Sequence, residues 1–513
     1  MKRRDFVRNS LAGVLLPALI NGLPFRAFGR VTGEDDEHIL VIIQLNGGND
    51  GLNTVIPLDQ YSKYMTARGN IAIPENKLLK ILGNDTVGLH PAMTGLQSLF
   101  QEGKAALIQG VGYPNPNFSH FRATDIWNTA SDATEVINSG WMGRYLAWQH
   151  PNYPNDPEVK DPLAIQIGSV VSNTLQGPLQ SMGVAITNPS NFYNLVSGNT
   201  GPAPDTWAGK ELDFLRKLAD STNLYAASIR AAASAVSQQA EYPAGNALAD
   251  QLKIVAQLVA GGLKTRIYMV SLGGFDTHSN QVTTDITTGT HATLLGKVSD
   301  AIRAFTEDLK FLGISKKVLG FTYSEFGRRV KANASLGTDH GTAAPMFVFG
   351  DAVIPQVLGK SPELPSNPVN SDNLPMQYDF RSVYASVLQR WFCMDASYLD
   401  QVMLKDFQQL SIIKGEACTT VTANEPAQNA LFSMYPNPCE HYFTVEFPVP
   451  EPGAHVLMQV FDNQGRLTDV PIRNNYTFGY HKLMVHAGGY FPGVYYVRLQ
   501  VNERQEVKKL VKR

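Results

Sequence analysis

Three cysteines in 513 residues are too few for a disulfide framework, and Cys393, Cys418 and Cys439 match no zinc-binding spacing. One bridge, between Cys418 and Cys439, is open to a chain in an oxidising compartment, and free thiols are equally compatible with the sequence. Charge of one sign is also missing. The 43 basic and 45 acidic residues leave a net charge of −2, so no basic surface announces nucleic acid as a partner. Apolar runs long enough to cross a bilayer are absent as well. The run Val14 to Ile20 is too short to span; it follows Lys2, Arg3 and Arg4 and precedes the small residues of Ala27-Phe28-Gly29, so residues 1–30 read as an export signal with cleavage near Arg30.

What is present is a chain too long for one ordinary domain, with the 43% hydrophobic content of a globular protein. His38 to Leu45 (HILVIIQL) is a continuous β-branched run of the kind buried on both faces of a parallel sheet. Ala105 to Val111, Leu163 to Ile167, Thr265 to Leu272 and Val318 to Tyr323 read as further strands, alternating with helical patterns at Pro91 to Gln101, Arg122 to Trp127, Gly140 to Trp148, Leu212 to Gln239, Ala247 to Ala260 and Ala292 to Leu312. That order predicts an α/β fold with a doubly wound, mostly parallel sheet over residues 31–414. Gly177 to Ala208, rich in Asn, Pro, Ser and Gly, reads as an irregular insertion. Residues 415–430 lack a core period and read as a linker. Short alternating strands between 431 and 513 predict a small β-sandwich.

Chemistry recurs where the strands stop. The first strand ends in Asn46-Gly47-Gly48-Asn49-Asp50-Gly51, whose glycines permit a tight turn and close backbone approach; Asp50 is then a metal ligand or the closure of an Asx-turn. Ser119 falls at a helix N-terminus, where a hydroxyl is an N-cap or, activated by free amides and a cation, a nucleophile. Asp276 and His278 follow another strand; in an extended segment they project on one side, able to share a cation, and the alternative is a helix cap by Asp276 with an incidental His278. Val318 to Tyr323 delivers Glu325, and Asp339 with His340 follow on a Gly-flanked loop. In a doubly wound sheet the carboxyl ends of the strands face one crevice, so these residues are expected to converge. Arg144 is expected on the solvated surface.

The blocks GGNDGLNTVIP (Gly47 to Pro57), SHFRATDIW (Ser119 to Trp127), GWMGRYL (Gly140 to Leu146), GFDTH (Gly274 to His278), SEFGRR (Ser324 to Arg329) and TDHG (Thr338 to Gly341) resemble domain of unknown function 1501. That family looks like a distant branch of the alkaline phosphatase and sulfatase superfamily, and the resemblance covers roughly residues 39–410. It implies one or two divalent metal ions (Zn, Mn, Mg or Ca) and a phosphate or sulfate ester as anionic substrate. Asp50, Asp276, His278, Glu325 and His340 would hold the metal, with Asp339 a ligand or its orienting partner. Ser119 would be the nucleophile, with His120 beside it and Arg328 and Arg329 on the anion. The pattern departs at Phe326, where a histidine is expected and which cannot bind a metal. A fold kept as a surface binding or scaffolding module without turnover is the alternative.

Two further segments resemble addresses. Arg3-Arg4-Asp5-Phe6-Val7 is similar to a twin-arginine signal. Met434-Tyr435-Pro436-Asn437-Pro438, Gly493 to Leu499 and the basic end Lys508 to Arg513 resemble the sorting domain of type IX secretion in Bacteroidetes-type bacteria. They imply passage through the periplasm to the cell surface or medium, with the export machinery as partner.

Overall fold

The computed structural model describes residues 38–154, 156, 159–189, 206, 225–415 and 431–513 apart from 436, 450–452, 464, 478 and 503, together with two short paired strands, Ala18–Ile20 and Leu23–Phe25. The remaining parts of the expected export signal, Cys418, residues 416–430 of the expected linker, and the first half of the helix expected from Leu212 lie outside the described residues. Two compact units divide between residues 420 and 421.

The large unit is built on a nine-stranded sheet. Its strands are β1 (Ile39–Leu45), β2 (Ala105–Gly112), β3 (Ala164–Ile167), β4 (Val184–Ile186), β5 (Ile267–Leu272), β6 (Val318–Tyr323), β7 (Ala344–Phe349), β8 (Gln356–Leu358) and β9 (Tyr378–Asp379). They lie in the order β8-β2-β7-β6-β1-β5-β3-β4, with β9 also on β2. All pairings are parallel except those of β7, which is antiparallel to both β6 and β2. The α/β class is therefore as expected. β4 forms inside the stretch expected to be irregular: Val184 and Ile186 are buried in the core, and pairing with β3 satisfies their backbone.

The period of two in β1 explains why the sheet has helices on both faces. Ile39, Val41, Ile43 and Leu45 enter one core and Leu40 and Ile42 the other. The first core is covered by α1 (Thr94–Gln101), α4 (Ala247–Ala260) and α5 (Thr290–Phe311); the second by α2 (His120–Thr129), α3 (Trp141–Gln149) and α6 (Phe380–Arg390). Each of the aliphatic and aromatic side chains fully buried there contributes roughly 1.5–3 kcal/mol. Helix starts are tied down where the sequence allows: the Asn246 side chain accepts from the amides of Leu248 and Ala249, and Asp379 from that of Arg381. Arg144, far from being solvated, is buried and donates to the carbonyls of Thr129, Ser139 and Val402. Cys393 is disulfide-bonded and Cys439 is a buried free thiol, so the bridge considered between Cys418 and Cys439 does not form.

The small unit has a three-stranded sheet (Ser433–Tyr435, Tyr442–Val449, Gly479–His486) and a four-stranded one (Ala454–Phe461, Leu467–Tyr476, Gly493–Val501, Arg504–Lys512), every strand antiparallel to its neighbours. Both contribute to one core, with Phe443 and Val445 from the first and Val456, Val497 and Leu499 from the second.

Candidate active site

Register makes the strand ends coincide. Leu272 of β5 lies opposite Leu45 of β1, and Tyr323 of β6 opposite Gln44, so the segments 46–50, 273–278 and 324–328 emerge side by side. β7 begins at this same edge because it runs the other way, which brings 338–342 to it. Val111, one residue before the end of β2, lies opposite Ala344, and the chain beyond leads to His120 at the start of α2.

Gly47 and Gly48 allow these loops to interlock. Their φ values are +123° and +75°; a Cβ on Gly47 would stand 2.3 Å from the amide nitrogen of Asp276, and one on Gly48 would stand 2.3 Å from the Phe326 ring. The Gly47 amide donates to Glu325 Oε1 at 2.8 Å. Arg328, fully buried, binds the loops together: it donates to the carbonyls of Gly47, Gly48 (2.6 Å), Phe275 (3.1 Å) and Thr338 (2.8 Å) and to Asp276 Oδ1 (2.6 Å).

Around Asp276 stand three imidazoles. His278 Nε2 and His340 Nε2 are 3.0 Å apart and lie 3.2 and 3.1 Å from Asp276 Oδ1, while His120 Nε2 is 3.5 Å from Asp276 Oδ2. His120, Asp276 and His340 offer ligand atoms that all lie within 4.8 Å of one another, and His278 forms the tighter triangle with the last two. The other nitrogen of each ring faces an oxygen: His120 Nδ1 the Glu325 carboxylate (2.8 Å), His278 Nδ1 the Asp339 carboxylate (3.1 Å), and His340 Nδ1 the Phe118 carbonyl (2.8 Å). Those oxygens accept, so each Nδ1 carries the proton and each Nε2 presents a lone pair.

In the triangle, two bare nitrogens and a carboxylate oxygen therefore approach within 3.2 Å with no hydrogen among them. A cation must be shared there, either a proton or a metal ion. Burial pushes the His340 pKa down in spite of the Phe118 carbonyl and the Asp276 carboxylate beside the ring, which opposes a proton on Nε2. Asp276 resists the rise that burial would give and is held at about 2, chiefly by the hydrogen bond and charge of Arg328. Donor types, spacing and anchored Nδ1 atoms fit a divalent ion held by Asp276, His278 and His340.

The other expected site residues take different places. Glu325, buried and expected as a ligand, instead orients His120, while Asp339 takes the orienting one of its two expected roles, on His278; Asn333 Nδ2 also donates to Asp339 at 3.2 Å. Arg328, expected on the anion, spends its donors on the protein. Asp50 lies apart from the triangle with both oxygens occupied: Arg68 meets Oδ2 at 2.6 Å and Oδ1 at 2.9 Å, and Gln281 donates to Oδ2 at 2.6 Å. Neither Asp50 nor Arg68 has any exposed side-chain surface, and the carboxyl, which burial would raise, is brought down to about 2 by the guanidinium. A second cation does not fit there, because a guanidinium already neutralises the carboxylate. Phe326 is buried, its ring centroid 4.9 Å from that of His120 and 4.5 Å from that of His340.

Ser119 occupies the N-cap position of α2 but makes no capping hydrogen bond with its side chain, and it is exposed. It stands between two residues attached to the cluster, Phe118 through its carbonyl and His120 through its ring. The Arg329 guanidinium lies over the Phe118 ring at 5.6 Å, and its charge helps to lower the pKa of Asp339. Arg68, Gln281 and Asn333 escaped the sequence reading, since a buried arginine or amide has no periodic or positional signature.

Residues 220–403 match the family described as Protein of unknown function (DUF1501), a stretch that includes Asp276 through His340. Residues 433–513 match the Secretion system C-terminal sorting domain, which marks the chain for export to the cell surface or the medium. No curated protein matches the chain. Among solved structures it is similar to a protein in the alkaline phosphatase superfamily from Vibrio parahaemolyticus (9% identity, TM-score 0.33, covering 85% of this chain and 82% of that one). It is also similar to the phosphonate monoester hydrolase SpPMH from Silicibacter pomeroyi (9%, 0.32, 92% and 88%) and to alkaline phosphatase from the Antarctic bacterium TAB5 (9%, 0.27, 62% and 92%). Among the described residues no helix is long and apolar enough to cross a membrane.

Proposed function

We propose that the large unit is an exported hydrolase of phosphate or sulfate esters, dependent on one divalent ion and using Ser119 as nucleophile. The observation that carries this reading is the triangle of Asp276 Oδ1, His278 Nε2 and His340 Nε2 at 3.0–3.2 Å, with both imidazoles held by oxygen acceptors on their far side. A divalent ion bound by these residues supplies charge that lowers the pKa of a nearby hydroxyl and offsets charge developing on the ester.

The chain's own groups do the rest. Ser119 places its hydroxyl at the positive end of the ten-residue α2, where first-turn amides favour the alkoxide. His120, fixed through Nδ1 by Glu325, offers its Nε2 lone pair to the hydroxyl proton. Arg329 is the guanidinium available to the ester's charged oxygens, since Arg328 is enclosed. Attack of Ser119 Oγ on phosphorus or sulfur expels the ester's alcohol, and water then cleaves the serine ester. The second reading, a binding module without turnover, draws on Phe326, whose ring packs against His120 and His340.

Elemental mass spectrometry of the exported chain, with turnover of 4-nitrophenyl phosphate and 4-nitrophenyl sulfate, separates the two. About one divalent ion per chain is expected, lost in His278→Gln and His340→Gln. Ser119→Ala keeps the ion and loses turnover by on the order of 10³-fold or more. Folded wild-type protein that takes up no Zn, Mn, Mg or Ca refutes the proposal; an ion retained without turnover of either ester selects the binding module.

A further inference from the structure

A cavity of about 510 Å³ opens beside the cluster, sharing His120, Glu325 and the Asn46-Gly47 turn with it, and the rest of its lining differs in character from the metal-binding cluster. It carries the amides of Asn46, Asn128 and Asn173, the carboxylate of Asp125 and the ring of Phe121, and no lysine or arginine. An anion gains little there: the lining offers it no free cation, Glu325 is acidic, and the Asp125 carboxylate is paired with Arg122. Amides that donate and accept, together with a carboxylate that accepts, instead match hydroxyl groups, which do both.

Asn128 makes this a built site. It is 7% exposed, and its Oδ1 accepts from the Thr174 hydroxyl at 2.9 Å and the Tyr323 hydroxyl at 3.0 Å. Its carbonyl end is thereby fixed, and its Nδ2 makes no hydrogen bond among the described residues, leaving the donor for whatever enters the cavity. A ligand oxygen that meets this fixed donor gains a hydrogen bond whose geometry is set in advance. At the rim Phe121 is 91% exposed, an apolar ring with nothing over it. Both Asn128 and His120 belong to α2, so one rigid helix sets the distance between this cavity and the cluster.

We propose that this cavity binds the uncharged, polyhydroxylated part of the substrate, a sugar ring whose hydroxyls meet the amides and whose C–H face covers Phe121, and that Asn128 selects it. This rests on the ester-hydrolase reading, in which the charged group lies at the cluster and the remainder of the substrate needs a place beside it.

Neutral methyl glycosides of glucose, galactose, mannose and N-acetylglucosamine test the subsite without an ester. Saturation-transfer NMR on the full exported chain should detect binding of at least one of them, and titration should show it weakened about tenfold in Asn128→Ala, the worth of one hydrogen bond. Phe121→Ala, at an exposed position with no fold to disturb, should also weaken it. Ser119→Ala should bind the same glycoside as wild type. Glycoside binding without ester turnover would sink the hydrolase reading and leave the subsite standing. Ester turnover with none of the four glycosides bound at about 20 mM, or binding unchanged in both Asn128→Ala and Phe121→Ala, would overturn the subsite.

Discussion

Exchanging Arg68 for methionine leaves the Asp50 carboxylate enclosed with Gln281 as its remaining side-chain donor. Breaking a buried pair by removing one partner costs roughly 3–5 kcal/mol, because a charge stays behind without compensation. Asp50→Asn is milder. The guanidinium left without its counter-ion keeps three acceptors, the carbonyls of Val330 (2.6 Å) and Arg329 (2.8 Å) and Asn53 Oδ1 (3.3 Å). Lowering the Asp50 carboxyl from 3.8 to about 2 corresponds to roughly 2 kcal/mol of stabilisation. That contribution is complete above the unfolded value and disappears as the pH falls through the folded one. The double variant Asp50→Asn/Arg68→Met should therefore be more stable than Arg68→Met alone. Urea unfolding at pH 7 measures all three, and elemental analysis runs beside it, since in this reasoning none of the three changes loses the divalent ion while folded. A folded Asp50→Asn protein without its ion, or an Arg68→Met protein within about 1 kcal/mol of wild type, would refute the assignment of Asp50 to a structural pair.

Two buried histidines predict acid sensitivity well above that range. Burial first, then the nearby His291, lowers His90 to about 3, and burial lowers His291 to about 4 even with Asp50 close by. The unfolded chain takes up protons near 6.5 that the folded one refuses, so stability should fall below that pH at up to roughly 3 kcal/mol per pH unit for the pair. Urea midpoints at pH 7.5 and 5.5 should show this slope, and a His90→Asn/His291→Gln protein that keeps it would contradict the account. Gly47→Ala should destabilise by roughly 2–4 kcal/mol and weaken ion retention, because its Cβ would meet the Asp276 backbone; thermal unfolding and ion content both matching wild type would show that this contact is not tight.

The strand-end logic was legible because local residue types carry it. β6 spans Val318–Tyr323 as its apolar run implies, and β1 starts within one residue of the expected run. Gly47 and Gly48 adopt the conformations that a close approach between loops requires. The roles of the carboxylates were not legible. Glu325 and Asp339 sit on the same loops whether they face a cation or a histidine Nδ1, and that choice is made by a few ångströms of three-dimensional placement. Arg68 belongs to a helix, Tyr61–Arg68, whose sequence gives no sign that its last residue is enclosed. The antiparallel direction of β7 was equally hidden, since an apolar run reads the same from either end.

The loops that Arg328 holds also fix an electrical balance. The cluster contains the carboxylates of Asp276, Glu325 and Asp339, and against them the single enclosed guanidinium of Arg328, with imidazoles that are neutral when every Nε2 is bare. Within that enclosed set two negative charges are left over, and Arg329, whose charge acts on Asp339 from outside it, offsets them in part. One divalent ion offsets that surplus, and a second would turn the cluster positive. Electroneutrality thus favours a stoichiometry of one for a divalent ion held there.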